Sequence, residues 1–335
     1  MRYTKSIKFI SLLSIIFFAK NCYASDTTNI KLFSQNFSLM LYAEHKNNTV
    51  LHQYLGDANI LKPNRPLNIG IGFLGEKLGF RISYGFTFLK REEKLDTKYF
   101  DFQPHLYGRK VILDAVIQNY KGYHLYKNSE SLENTILYEN LRTFKLGGLA
   151  QYVLNNKKFS YRSAYNRKEQ QLKSAGSLLL GLSAYYSKIV FDSDYLPSDF
   201  FGGGKLILTN FQIGPNVGYA YNWIIAKKVN IFASITSGIN FGFNTKFKNL
   251  SFHPTIIPRL SVGYNLESWS FNISYVNDLI YSYLTDNNRI GISSGSLQLS
   301  VLRRFYIKNK FYSKINNFID KLSLQDHVKA KRHKI

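Results

Sequence analysis

Apolar and polar residues alternate along residues 78–88, and the same alternation returns through most of the chain. Successive side chains of a β-strand point to opposite faces, so this run would have one apolar and aromatic face and one small or polar face. Similar alternation occurs in residues 178–186, 211–223, 231–243, 258–266 and 297–305. A period of two that recurs in this way predicts an all-β fold.

The first 24 residues have the three parts of a secretory signal peptide. A basic start is followed by an apolar stretch and then by a short polar segment that ends at Ala24. We therefore expect cleavage near Ala24 and export of the remaining chain. The alternative is a lipoprotein signal with Cys22 as the lipidated residue, which the preceding Asn21 disfavours because that site requires a small residue.

Cysteine content and charge narrow the classes of function. Cys22 is the only cysteine and lies in the predicted signal, so an exported chain would have no thiol for catalysis, disulfides or metal binding. The chain has 44 Lys and Arg and 21 Asp and Glu, and removing the four basic residues of the signal leaves 40 against 21, a net charge of +19. Because an exported chain meets little nucleic acid, we expect the counter-charges to be outer-membrane lipid head groups and lipopolysaccharide phosphates.

Recurrent strands in an exported chain predict a closed antiparallel transmembrane β-barrel over residues 25–305. The runs match the ~9–11 residues that a tilted strand needs to cross a bilayer. Lipid offers no hydrogen bonds to the backbone, so only a closed barrel satisfies such strands in a membrane. We therefore expect a place in the cell outer membrane, reached with the barrel-assembly machinery. A soluble or secreted β-sandwich is the alternative, since one wet face gives the same alternation.

The connections between the predicted strands are of two kinds. Short ones resemble turns, at 75–77, 107–109, 155–158, 226–228 and 267–268, and longer polar ones lie at 45–65, 89–97, 121–140, 188–205 and 244–255. Short periplasmic turns and long outer loops are typical of outer-membrane barrels.

The number of strands follows from where the runs begin. Thirteen candidates start near residues 35, 66, 79, 97, 109, 141, 157, 175, 206, 229, 256, 269 and 289. Single-chain bacterial barrels have even numbers of strands, so one candidate must be wrong, and the two kinds of connection fall out of phase between 141 and 205. We predict about twelve strands, with fourteen as the alternative.

Residues 306–335 break the alternation and are strongly basic. Five apolar residues fall at helical spacing there: Phe311, Ile315, Phe318, Ile319 and Leu322. This segment is predicted to be a short basic amphipathic helix or tail on the periplasmic side. It would either lie on anionic lipid or have no partner.

Several short blocks carry a resemblance to a known family. They include Lys-Pro-Asn-Arg-Pro at 62–66, His-Leu-Tyr-Gly-Arg at 105–109 with Asp114, and Gly-Pro-Asn-Val-Gly-Tyr at 214–219. Together with blocks at 69–72, 98–101, 120–123 and 172–177, this set resembles an uncharacterised outer-membrane β-barrel family of Bacteroidetes-type bacteria, described as a domain of unknown function. The resemblance spans roughly residues 30–305. It implies an exported barrel and supplies no activity or cofactor.

The densest group of polar residues lies just before a predicted turn. Its members alternate with apolar or small neighbours and would share the lumen face of one strand: Asp101, Gln103, His105, Tyr107 and Arg109. Asp114 follows the turn and would return to the same neighbourhood. Such a cluster can fill a narrow barrel with hydrogen bonds and ion pairs, line a pore, or do acid–base chemistry through its Asp–His pair.

The sequence has no motif of a known enzyme class. Two His at metal-binding spacing on one helix are absent, no Gly-x-Ser-x-Gly elbow occurs, and the glycines at 202–204 lack Walker spacing. We therefore expect no catalytic residue, cofactor or metal. About twelve strands enclose less space than the ~16–18 of porins, so we predict a non-enzymatic outer-membrane protein, structural or a narrow solute channel. The alternative is an outer-membrane enzyme acting on lipid or lipopolysaccharide, with Asp101 and His105 as first candidates.

Overall fold

The computed structural model describes residues 29–54, 57–65, 67–74, 79–86, 96–126, 136–165, 169–191, 206–226, 228–244, 250–285 and 288–307. The elements within these residues are β1 (Ile30–Leu32), β2 (Phe37–Tyr54), β3 (Asp57–Lys62), β4 (Asn68–Leu74), β5 (Gly79–Gly85), β6 (Lys98–Phe102), β7 (His105–Tyr107), β8 (Val111–Tyr126), β9 (Leu137–Val153), α1 (Arg162–Tyr165), β10 (Glu169–Gln171), β11 (Ala175–Phe191), β12 (Leu206–Ala226), β13 (Val229–Asn244), β14 (Leu250–Asn265), β15 (Trp269–Thr285) and β16 (Asn288–Phe305).

Antiparallel pairing closes ten of the described strands into a barrel. Their order around the ring is β2, β3, β8, β9, β11, β12, β13, β14, β15, β16 and back to β2. The ring closes along the whole of β2 and β16, from the pair Phe37–Phe305 to the pair Tyr54–Asn288. Four strands lie outside this ring, with β4 on β2, β5 on β4, and β6 and β7 on β8. The predicted closed antiparallel barrel is confirmed, whereas the predicted number of about twelve strands is not confirmed.

The wall between β2 and β8 is built differently at its two ends. At the end that carries the longer connections, β3 pairs with both neighbours through Leu61, which is opposite Val50 of β2 and Leu125 of β8. At the other end, where the short turns lie, β4 and β5 extend from β2, and β6 and β7 extend from β8. Among the described residues, β5 pairs with β4 alone, and β6 and β7 pair with β8 alone. We call the unpaired line between β5 and β6–β7 the seam.

The two faces of the wall have opposite character. In β12 the side chains of Phe211, Ile213 and Val217 are exposed on the outside, while those of Gln212 and Asn216 are buried inside. The same alternation runs through the other long strands, so the barrel has an apolar outer surface and a polar lumen. This arrangement is that of a barrel whose strands cross a membrane, because lipid-facing and lumen-facing residues then alternate.

The strands reach further than the sequence analysis predicted. Most of the predicted connection 45–65 belongs to β2 and β3, and β8, β9, β11 and β14 also continue into the polar segments. These strand ends are polar or mixed on both faces, so they lack the clean alternation of the central segments. The last strand, β16, ends at Phe305. The predicted start of the barrel at 25, the signal at 1–24 and all but the first two residues of the segment 306–335 lie outside the described residues.

The strand predicted to start near residue 157 is wrong. Residues 154–174 instead connect β9 to β11 through turns, α1 and β10. Phe159, Tyr161 and Tyr165 are spaced like residues on one face of a strand, but they turn into the lumen instead of facing lipid. This is the interval in which the two kinds of connection fell out of phase.

Candidate functional site

An apolar layer crosses the lumen at the end with the longer connections. It consists of buried apolar residues from seven of the ten ring strands (β2, β3, β8, β9, β11, β12 and β16), which we call the loop-end layer: Val50, Leu61, Tyr120, Tyr123, Leu125, Leu141, Ile189, Phe191, Leu208, Ile290 and Ile292. The side chain of Tyr123 is fully buried within it. Apolar side chains of seven strands therefore pack together inside this end of the barrel, and apolar constrictions oppose the passage of water and ions.

The connection between β9 and β11 packs inside the opposite end of the barrel. Its residues 159–165, which we call the plug, bury Phe159, Tyr161 and Ala164 against wall residues such as Ile112 and Phe232. The chain just beyond it, β10, pairs with β1 near the N-terminus and forms a small second sheet. Within the described residues, no helix is both long and apolar enough to cross a membrane.

A buried chain of polar contacts joins the plug to the wall. Asp114 Oδ1 lies 2.6 Å from Nδ1 of His105, and Asp114 Oδ2 accepts a hydrogen bond of 2.5 Å from Nη2 of Arg259. Arg259 Nη1 donates to the hydroxyl of Tyr161 at 2.8 Å. Tyr161 belongs to the plug, outside the membrane-spanning strands, and its burial raises the pKa of its phenol. Polar and charged side chains of β7, β8 and β14 therefore form one chain of contacts that ends on the plug.

A second polar cluster surrounds Arg65, which lies in the connection after β3. Its Nη1 donates to Oδ2 of Asp101 at 2.9 Å and to the hydroxyl of Tyr120, and its guanidinium lies 3.8 Å from the ring centre of Tyr99. Asp101 Oδ1 also accepts a hydrogen bond of 2.8 Å from Gln103. This cluster anchors the connection inside the barrel.

The structure thus distributes the six predicted residues over three groups. Asp101 and Gln103 join Arg65, whereas His105, Tyr107 and Asp114 lie beside the plug. Arg109 is at the turn end, where its Nη2 donates to Oε2 of Glu169 at 2.9 Å. Arg65, Arg259 and Tyr161 also belong to these groups but were not predicted from the sequence. Each contacts its partner across a long stretch of chain, so no local spacing signals the contact.

A polar cavity of about 170 Å³ lies inside the barrel beneath the seam. We call it the seam cavity, and its polar lining includes Glu44, Lys46, Arg81, Gln103, His105, Asn272, Ser274 and Gln298. Leu106 also lines it, although nearly half of the Leu106 side chain is exposed on the outer surface. Its lining includes Arg81 of β5 and Leu106 of β7, so the cavity lies against both edges of the seam. No group of three or more His, Asp or Glu that could hold a metal occurs in the described part of the chain.

Comparison with known proteins identifies a family but no activity. The model of a family described as Domain of unknown function (DUF4421) matches residues 24–325. No curated protein sequence matches the chain.

Several solved structures are similar to this chain over most of its length, at low identity and low TM-score. The outer-membrane protease OmpT from Escherichia coli is 8% identical with a TM-score of 0.34, covering 82% of this chain and 98% of its own. The translocator domain of the autotransporter NalP from Neisseria meningitidis is 12% identical with a TM-score of 0.41, covering 81% and 89%. The outer-membrane protein OprG from Pseudomonas aeruginosa is 8% identical with a TM-score of 0.21, covering 83% and 99%. Similarities this low transfer no activity to this chain.

Proposed function

Because this chain belongs to the family described as a domain of unknown function (DUF4421), we propose its function from its own geometry: a non-enzymatic outer-membrane β-barrel with a closed lumen. The observation that carries this proposal is the apolar packing inside both ends, in the loop-end layer and around the plug. The apolar outer surface and the predicted signal peptide support the outer membrane, with lipid and lipopolysaccharide as its surroundings. An origin in Bacteroidetes-type bacteria stays a prediction.

Hydrogen bonds across the middle of the lumen support closure. They join strands that are not neighbours in the sheet: Asn48 to Gln118 at 3.1 Å, Lys145 to Asp278 at 2.9 Å, and Gln151 to Asn216 at 2.9 Å. A water-filled pore keeps its polar lining hydrated, whereas these groups bond to one another. The interior is therefore better suited to a structural barrel than to a standing diffusion pore.

Planar-bilayer recordings test the closed lumen. We expect the wild-type protein to show no steady ion conductance, and Tyr161→Ala alone to stay silent because the loop-end layer remains. Tyr123→Ala combined with Tyr161→Ala should show conductance steps, because both ends then lose a large aromatic side chain.

A control variant and a folding assay accompany the conductance recordings. Tyr219→Ala removes an aromatic side chain from the outer surface and should leave the barrel silent. Heat-modifiable gel mobility confirms that each variant is folded. Steady conductance of the wild type would overturn the closed lumen and favour the narrow solute channel.

One observation favours a second candidate, an enzyme acting on lipid or lipopolysaccharide. His105 lines the seam cavity and its Nδ1 lies 2.6 Å from Asp114, which is the geometry of an oriented acid–base pair. If this pair is catalytic, purified wild-type protein should convert phospholipid or lipopolysaccharide, and His105→Ala should not. Lipid that is unchanged by the wild type, followed by mass spectrometry, removes the enzyme.

A further inference from the structure

We propose that the seam cavity binds the head group of an anionic phospholipid, which enters sideways from the bilayer through the seam while its acyl chains stay outside. This inference rests on the proposed membrane-spanning barrel with a closed lumen. It adds a ligand, a route of entry and a leaflet to that proposal.

Unpaired backbone at the seam favours a polar ligand there. No backbone pairing between β5 and either β6 or β7 joins the described edges of the seam. Backbone groups left unpaired against hydrocarbon cost several kcal/mol each, so an open edge within a bilayer needs polar company. A lipid head group supplies hydrogen-bonding atoms at the seam, where the described strand edges do not pair with each other.

Side chains of β2 connect the two edges of the seam and leave a cation available for a ligand. Ser83 of β5 donates to Oε1 of Glu44 at 3.0 Å, and Lys46 Nζ lies 3.8 Å from Glu44 and 3.7 Å from Asp101 of β6. The seam is therefore bridged on its lumen side by side chains of β2. Both distances from Lys46 exceed the 2.7–3.2 Å of a normal hydrogen bond, so its ammonium group can turn to a third, anionic partner.

The charged residues that line the seam cavity favour an anionic ligand. The cavity is lined by the cations Lys46 and Arg81 and by the single carboxylate of Glu44. Arg81 is exposed and donates to the neutral amide of Gln298 at 3.2 Å, with no ion pair to a residue that the structure describes. A phosphate that carries net negative charge would gain charge-assisted hydrogen bonds from both cations.

The volume of the seam cavity limits the ligand to a small polar group. A cavity of about 170 Å³ holds roughly six waters at about 30 Å³ each, and drug-sized ligands need about 300–1,000 Å³. A head group fits this space and a whole amphiphile does not. Acyl chains would instead lie along the exposed outer side chains beside the seam: Ile82, Tyr84, Phe100, Phe102 and Leu106.

The position of the seam selects the leaflet. It lies in the half of the barrel that carries the short turns, which face the periplasm in outer-membrane barrels. The periplasmic leaflet of the outer membrane consists of phospholipid, so the ligand is a phospholipid and not lipopolysaccharide. The net positive lining favours phosphatidylglycerol over the zwitterionic phosphatidylethanolamine.

Native mass spectrometry of the purified protein with added lipid tests the proposal. We expect the wild type to retain phosphatidylglycerol in preference to phosphatidylethanolamine, and Arg81→Gln to bind phosphatidylglycerol about tenfold more weakly, since losing one charge-assisted bond changes the binding constant by about that factor. Arg81→Lys keeps the charge and should retain most of the binding.

Arg303→Gln is the matched control, because Arg303 also lies at the turn end but is exposed on the outer surface beside Trp269. Its binding should stay within about twofold of wild type. Equal losses for Arg81→Gln and Arg303→Gln, or no preference between the two lipids, would overturn the proposal. Displacement of phosphatidylglycerol by millimolar inorganic phosphate would show that the cavity takes free phosphate, which overturns the lipid as its occupant. Conductance is measured separately, so a failed lipid test leaves the closed lumen standing.

Discussion

Replacing Arg259 with alanine is expected to lower the free energy of unfolding by about 3–5 kcal/mol, the range measured when one partner of a buried ion pair is removed. Arg259 is only 4% exposed, and its loss leaves the carboxylate of Asp114 inside the barrel with the ring nitrogen of His105 as its remaining close partner among the contacts described above. The hydroxyl of Tyr161 loses a donor at the same time. Denaturant unfolding in lipid vesicles, followed by the fluorescence of Trp223 and Trp269, measures the change.

A second variant distinguishes loss of the ion pair from loss of packing. Adding Asp114→Asn to Arg259→Met removes both charges and keeps similar volumes, so it should recover part of the lost stability. A single Arg259→Ala variant that unfolds like the wild type would show that the plug is not held by this contact. It would also remove the structural role assigned to Asp114.

Replacing Tyr123 with alanine is expected to cost a further large amount, about 3–5 kcal/mol, as truncation of a buried aromatic side chain does. Tyr123 is fully buried in the loop-end layer, and its hydroxyl bonds to Asn48 at 2.9 Å and to Thr143 at 2.6 Å. The same unfolding measurement reports the loss.

Tyr123→Phe separates the ring from its hydroxyl. The ring remains and only the two hydrogen bonds are lost, so we expect a smaller cost of about 1–3 kcal/mol. Equal effects of the two variants would mean that the loop-end layer is stabilised by its hydrogen bonds and not by apolar packing.

Much of the fold could be predicted from period-two alternation, because one face of each strand meets lipid and the other meets the lumen. In β12 the apolar residues Phe211 and Val217 face outward and Gln212 faces inward, as their spacing indicates. The short turns at 107–109 and 267–268 also follow from the sequence, since they interrupt the alternation. The turn predicted at 155–158 instead begins the longer connection that contains the plug.

Segments whose environment is set by distant parts of the chain could not be predicted. Residues 45–54 have the composition of a polar connection although they belong to β2. Their side chains lie beside other strands and beside the connection after β3, so an apolar lipid-facing side is not required of them. Phe159 and Tyr161 have strand-like spacing, yet they bury inside the lumen. Alternation alone cannot distinguish an apolar residue that faces lipid from one that fills the barrel.

The polar cluster shows the same division. The shared face of Asp101, Gln103 and His105 follows from spacing, and so does the return of Asp114 after the turn. The contacts that give these residues their roles come from Arg65 and Arg259, which are far away in sequence. Their meeting depends on how the ring closes, and no local pattern encodes it.

Ring closure between β2 and β16 also bears on how the barrel is made. Phe37 of β2 pairs with Phe305 of β16. One edge of β2 therefore stays unpaired until β16, the last strand, has formed. Pairings between residues so far apart in sequence slow folding, and until they form the growing sheet has two bare edges that can pair with other chains. We therefore expect the yield of folded barrel to depend on protection of the chain from aggregation before β2 pairs with β16. This protection should affect the yield more than the free energy of unfolding of the closed barrel does.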